Sequence, residues 1–405
     1  TTYMNYILGY VNTPVFQMLL DISCPGIHYN NGVITGLPIK CDESIKERVD
    51  ELVSSCVKIA KEDWDSFETS WDFKKHPLIE HRDKYEVAGI MKDKIENAYY
   101  MWKMISEDRF DQLKANEEEL NRIFIDIYGL QDELTPEVED KEVTVRKADL
   151  QREIKSLISY AVGCMFGRYS IAETGLILAG GEFDSQRYGS FEADKDAIIP
   201  ITDELYFDDD IVGRFEQFIK TIFGSLSLEE NLQFVADALG TKGNSSREVI
   251  RNYFLNDFYK DHCTMYSVNG SGKRPIYWLF DSGKENGFKC LIYLHRYTAD
   301  TVGLIRSDYL TKTQGMIENA LKNAEYAINT STSAVDKAQA TKKRDKYIKQ
   351  LAEIRAFYPA LSHIALQRME LDLDDGVKAN YEKFQNIEIS TEGEKRQKVN
   401  LLAKI

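Results

Sequence analysis

Apolar residues recur at helical spacing over residues 3–23, with a break at Asn12-Thr13-Pro14. Pro14 suits the first turn of a second helix, with Thr13 as its cap. Cys24-Pro25-Gly26 ends that helix, and GVITGLPI then reads as a short strand over residues 33–39. From Asp42 the chain turns charged and helical. Ile45, Val49, Leu52, Val53, Cys56 and Ile59 fall on one stripe. Helical periodicity returns over residues 84–128, where Leu113, Leu120, Phe124 and Ile127 form a short coiled-coil-like seam and Gly129 supplies a stop. Residues 149–166 give another helix, with Leu150, Ile154, Leu157, Ile158, Ala161, Val162, Met165 and Phe166 on one face.

After Gly167 the composition shifts. GLILAGGEFDSQRYGSF is Gly-rich and loop-like, and helices follow around 209–223, 228–239 and 246–261. Ser245 and Glu248 are spaced as a capping box at the start of the last one. The run KRPIYWLFDSGKENGFKCLIYLHRY, residues 273–297, holds two apolar segments joined by a turn-forming heptapeptide. Strands are expected at 275–280 and 288–294. Their alternation is poor, so they are buried on both faces or lie against helices. Residues 312–372 are helical, with polar NTSTSAVDKAQATKKRD at the junction of an antiparallel helical hairpin. The expected fold class is mainly α with a minor β component (α+β). The expected divisions are 1–40, 41–158 as a helical spacer, 159–310 as a mixed region with the hairpin, and 311–405 as a helical hairpin and tail.

A chain of 405 residues has room for two or three domains. It opens on Thr-Thr rather than Met, which reads as a piece of a longer protein. It shows no secretory leader and no apolar run long enough for a membrane span. Its six cysteines form no CxxC pair, so neither a zinc site nor a redox pair is signalled, and free thiols in a reducing cytoplasm are expected. The net charge of −15 has the wrong sign for a surface coated with phosphate contacts. A nucleic-acid face on this protein has to be local.

Catalytic motifs are scarce. GSGK at 270–273 lacks the spacing and flanks of a phosphate loop. GGEFD at 180–184 lacks the strands of a signalling enzyme. His76 and His81 have no partner at ligand spacing and read as packing histidines. Asp208-Asp209-Asp210 reads as a solvated helix start. Enzymes that methylate a base amino group carry Asn or Asp followed by Pro-Pro-Tyr or Pro-Pro-Phe, and no proline here precedes another.

Several stretches together resemble one family. They are KEDWDSFETSWDFKKHPL, SYAVGCMFGRYS with GLILAGGEFD, IIPITDELYFDDDIVGRF, GTKGNSSREVIRNYFLNDFYKDHC, the 273–297 run, LDDGVKANYEKF and KVNLLAKI. All are similar to the C-terminal half of the PglX family, the site-specific DNA adenine methyltransferases of BREX phage-exclusion systems. The resemblance covers nearly the whole chain, in order, and is thin only over 315–360. The opening, down to Leu37-Pro38-Ile39, resembles the end of a target-recognition domain. The resemblance implies a piece that starts inside that domain and lacks the S-adenosyl-L-methionine domain. The cofactor then belongs to the parent enzyme, this chain holds none, and no catalytic or cofactor residue carries over.

It also implies double-stranded DNA as a partner. Candidate phosphate contacts are Lys273, Arg274, Lys289 and Arg296 on the hairpin, and Lys242, Ser245, Ser246 and Arg247 at the capped helix start. Glu248 already occupies the capping role there and argues against an anion. The alternative is a helical scaffold docking other BREX proteins, with the stripes at 45–59 and 113–127 facing partner helices. Those stripes are equally ordinary internal core.

Overall fold

Thr13 accepts a hydrogen bond from the Phe16 amide at 3.4 Å, and Pro14 follows it in the first turn, so one apolar run becomes two helices. The protein is described by a computed structural model covering residues 3–24, 26, 30–82, 93–268, 272–389 and 397–405. The chain divides into two units: residues 1–88 with 97–153, and residues 89–96 with 154–405.

Unit 1 contains α1 (Met4–Val11), α2 (Pro14–Ser23), α3 (Asn31–Gly36), α4 (Lys46–Trp64), the single turn α5 (Pro77–Glu80), and α6 (Ile95–Tyr128) from residue 97 onward. Tyr6, Tyr10 and Val15 share one core with Val49, Leu52 and Val53 of α4 and Leu120, Phe124 and Ile125 of α6. Residues on either side of position 40 therefore pack together. A Cβ on Gly9 would meet Val53 at 2.9 Å, so α1 lies tightly on α4. Ile59, Phe110 and Leu113 extend the core beneath Val143 and Val145. The two stripes read from the sequence thus face each other, as amphipathic helices in a small bundle must. Part of the expected 84–128 helix, residues 84–92, lies outside the described residues.

The expected strand at 33–39 is a correction. Residues 31–36 form α3, capped by the Asn30 side chain on the Gly32 amide, with no residue buried. Unit 1 holds no strand among its described residues, so this run has no edge to pair with and closes its hydrogen bonds locally.

Unit 2 contains α7 (Leu150–Phe166) from residue 154, α8 (Ile211–Phe223), α9 (Leu228–Leu239), α10 (Ser246–Asn256), α11 (Phe258–Met265), α12 (Thr301–Leu304), α13 (Thr311–Thr330), α14 (Ala334–Gln367) and α15 (Val377–Glu382). The expected helix at 246–261 breaks at Asp257 into α10 and α11. The strands are β1 (Ile198–Pro200), β2 (Ser267–Val268), β3 (Gly272–Lys273), β4 (Tyr277–Asp281), β5 (Lys289–Tyr293), β6 (Ile387–Ile389) and β7 (Gln397–Val399).

The hairpin is the centre of this unit. β4 and β5 pair antiparallel from Tyr277↔Tyr293 to Asp281↔Lys289, and β1 adds to β5 to give the order β1-β5-β4. The outer edge of β4 is covered in turn, because the Asp281 amide donates to the Leu401 carbonyl and the Ala403 amide donates to the Leu279 carbonyl. Both faces are buried. Trp278, Phe280, Cys290 and Ile292 pack on Leu351, Ile354, Phe357 and Leu361 of α14, while Tyr277 stacks on Phe166 of α7 and His262 of α11. Burial of each such side chain contributes about 1.5–3 kcal/mol.

Glu353 of α14 locks the hairpin loop. Its carboxylate accepts from Ser282 Oγ and from the Glu285 and Gly287 amides at 2.7–2.9 Å. A Cβ at Gly283 would meet the Glu353 carboxylate at 2.7 Å, and one at Gly287 would meet the Gln350 carbonyl at 2.8 Å. Beyond it, α13 and α14 form the expected antiparallel pair, joined at Ser331–Ser333, with no buried residue between 325 and 339. No helix among the described residues is long and apolar enough to cross a membrane.

Candidate nucleic-acid interface

The candidate cations have different fates. Lys289, at the loop end of β5, is only 8% exposed. Its ammonium sits 3.2 Å from Asp281 and donates to the Leu255 carbonyl at 3.1 Å. Arg296, at the other end, turns inward. It donates to the carbonyls of Asp194 and Lys195 at 2.6 and 2.8 Å and lies over Phe183, 3.7 Å from the ring centroid. GGEFD thus contributes a ring to pack an arginine. Both groups are corrections to the sequence reading: antiparallel pairing brings the strand ends together, but burial directs these two side chains to internal acceptors.

The helix start at Ser245 is occupied as well. Ser245 Oγ accepts from the Glu248 amide, and the Glu248 carboxylate accepts from the Asn244 amide rather than from Ser245. Arg247 is held by Glu216 and Glu229, each at 2.7 Å. With three carboxylates around them, Ser245, Ser246 and Arg247 stand in an acidic setting. Lys242 alone of this group is an exposed cation without an ion pair among the described residues.

Lys273 and Arg274 differ. Both are exposed and neither has an ion pair among the described residues. β3 holds them through the Ser267↔Lys273 register and through the Arg274 amide, which donates to the Tyr266 carbonyl at 2.8 Å. Burial pushes the Cys263 thiol up, and the charge of nearby Lys273 pulls against it. Of the GSGK run, residues 270 and 271 lie outside the described residues.

Tyr266 links this pair to a third cation that the sequence reading passed over. Gly167 takes a left-handed φ of 78°, ending α7 and turning Arg168 back against it. The Arg168 guanidinium lies 5.2 Å from the Tyr169 ring and 5.9 Å from the Tyr266 ring, and its Nε donates to Tyr169 Oη at 3.0 Å. No carboxylate pairs with it among the described residues. Beside it, His262 accepts from the Ile276 and Tyr277 amides at 3.2 Å through Nε2. Burial and the Arg168 charge push this imidazole down to about 3, so it stays neutral. The result is a basic edge with aromatic rings packed behind it, suited to phosphate contact.

A second basic surface lies on α14. Between residues 337 and 349 six cations accompany one acid, Asp345. Lys342, Lys346 and Lys349 stand at i, i+4 and i+7, on the side away from buried Tyr347 and Leu351. Lys346 pairs with Asp203, whereas Lys337, Lys342, Lys343 and Lys349 are exposed and without an ion pair among the described residues. The charge run was visible in the sequence, yet it reads there as the polar junction of a helical hairpin. The two surfaces are not merged. Arg274 precedes the start of β4, while α14 meets the loop at the far end of the hairpin.

Other candidate chemistry resolves as packing. His76 caps α5, and burial pushes it down to about 3, while His81 stacks on Trp102 at 5.7 Å. Asp210 is fully buried rather than solvated: Arg251 grips both of its oxygens at 2.8 Å and the Val212 amide donates to it. Among the described residues no group of three His, Cys, Asp or Glu side chains is placed to hold a metal ion.

No family model matches the chain. It is 44% identical over 391 residues, 95% of its length, to the adenine-specific methyltransferase PglX of Lacticaseibacillus casei (strain Zhang), of which it covers 31%. It is 33% identical over 410 residues, 93% of its length, to the adenine-specific methyltransferase BrxX of Escherichia coli O9:H4 (strain HS), of which it covers 32%. The chain therefore spans about a third of each of these curated relatives. Along nearly all of its own length it is a PglX-like sequence.

Proposed function

We propose that this chain is a non-catalytic, DNA-engaging region of a PglX-type adenine methyltransferase of a BREX system. The parent enzyme uses S-adenosyl-L-methionine, whose domain lies outside this stretch, and the chain carries no Pro-Pro tetrapeptide. One observation carries the reading. In a protein of net charge −15, exposed cations without an ion pair among the described residues stand close together along the chain at two places in unit 2: Lys273 and Arg274, and Lys337, Lys342, Lys343 and Lys349 on α14. Cations of this kind bind phosphates, which position a duplex without reading its sequence. A second reading, a protein-docking scaffold, is favoured by an acid-rimmed groove in unit 1.

The test is salt-dependent duplex binding by the parent enzyme. Replacing Lys273 and Arg274 by Ala lowers the slope of log K against log salt by about one unit for each phosphate no longer neutralised, equally for specific and random duplexes. Replacing Lys342, Lys343 and Lys349 by Ala does the same independently. Unchanged slopes in both variants, with normal circular dichroism, overturn the proposal. This chain by itself gives no heat on titration with S-adenosyl-L-methionine, and saturable micromolar binding would contradict the domain assignment.

A further inference from the structure

Unit 1 contains an open groove of about 840 Å³ lined by α4 and α6, by the α1–α2 junction at residues 8–17 and by the segment 133–144. The helices run antiparallel, as the Asn116 bond to Ser55 and the Arg109 bond to Glu62 require. Val53, Val57 and Ala60 follow one another at i, i+4 and i+7 along α4, as Leu113, Glu117 and Leu120 do along α6; Val53, Leu113 and Leu120 belong to the buried core and form the floor, while Val57 and Ala60 stand open. Leu8 of α1 is part of the lining as well. Leu8 and Val57 remain 39% and 50% exposed, so the apolar lining reaches the surface.

The rim is acidic. Glu117, Glu133, Glu137 and Glu142 all border the groove, and no Lys or Arg does among the described residues. None of the four has an ion-pair partner among the described residues. Glu117 sits deepest, and burial together with the charge of Glu142 pushes its carboxyl up to about 7. An apolar trough edged by uncompensated carboxylates is complementary to one chemistry: a segment with an apolar stripe flanked by Lys or Arg. Unit 1 offers no strand edge among its described residues, so the partner enters as a helix between helices rather than as an added strand.

We infer that the α4–α6 groove of unit 1 docks a basic amphipathic helix of a partner protein. The groove shares no residue with the basic surfaces of unit 2, so the inference stands or falls separately from the DNA reading.

The probe is a helical Leu/Lys peptide of about four turns, with a Leu/Glu peptide of the same pattern as its counterpart. Binding to the 405-residue chain is followed by fluorescence anisotropy and located by amide hydrogen exchange. The Leu/Lys peptide is expected to bind and to protect residues 53–60 and 113–120, while the Leu/Glu peptide does not bind. Reversing two exposed rim acids, Glu133→Lys with Glu137→Lys, weakens binding about tenfold or more. Val57→Asp, at a half-exposed position, weakens it as well. Binding that is unaffected by these changes, or protection that falls elsewhere on the acidic surface, overturns the proposal. So does binding of both peptides alike.

Discussion

In unit 1, 29 acidic residues stand against 17 basic ones; in unit 2, 37 stand against 34. The contrast lies in where the acids are as much as in how many. Unit 2 draws several inward and gives them partners. Asp210 is buried under Arg251, and Glu353 fills the hairpin loop and accepts three hydrogen bonds. Cations such as Lys273, Arg274 and Lys342 then stand exposed without an ion pair among the described residues. In unit 1, four acids stand around an apolar trough with no Lys or Arg among its described lining residues, and Glu117 is partly buried there. A buried acid with a partner belongs to the architecture, whereas an unpaired acid at a groove costs stability that a ligand can recover.

That comparison is broken most sharply at Asp210. Asp210→Ala leaves Arg251 buried without its carboxylate and is expected to cost about 3–5 kcal/mol in urea unfolding. A loss below about 1 kcal/mol would mean that water reaches the arginine, and the contrast between the units would weaken.

Glu117 is predicted to behave in the opposite sense. Its carboxyl is raised from the usual 4.5 to about 7, so the folded protein binds a proton that the unfolded chain has released between those values. Stability tied to this group is therefore present below about pH 4.5 and is lost as pH rises through 7. Glu117→Gln is expected to stabilise by about 1 kcal/mol at pH 8, a figure already discounted for solvent access, and to change little at pH 4.5. Urea titrations at the two pH values decide the sign. Destabilisation at pH 8 would show that the carboxylate has a compensating partner.

The smallest effect is expected at an exposed pair. Lys61 bridges Asp65 and Asp72 on the surface of unit 1. Lys61→Ala should leave the urea unfolding midpoint unchanged at high salt and shift it barely, if at all, at low salt. A larger change would mark the surface acids of unit 1 as coupled into a network.

The sequence by itself determined the helices and the hairpin. The stripe at 45–59 and the face of 149–166 are periodic enough to fix their helices, because hydrophobic spacing is a local property, and the hairpin is marked instead by two apolar runs on either side of the turn at 281–287. It also carried the resemblance to PglX, since blocks such as GTKGNSSREVIRNYFLNDFYKDHC are long and ordered along the chain. What it did not contain was the direction of each charged side chain. Lys289 and Lys273 are alike as letters, yet one is buried on β5 against Asp281 and the other stands exposed on β3. The strand misread at 33–39 failed for the same reason: a strand exists only where a partner edge does. Arg168 looked like one cation in an apolar run, and it became a candidate only when Gly167 turned it toward Tyr169 and Tyr266. Periodicity places a residue on a face. Whether its charge is paired, buried or open to a ligand depends on residues far away in the chain, and the tertiary structure alone brings those together.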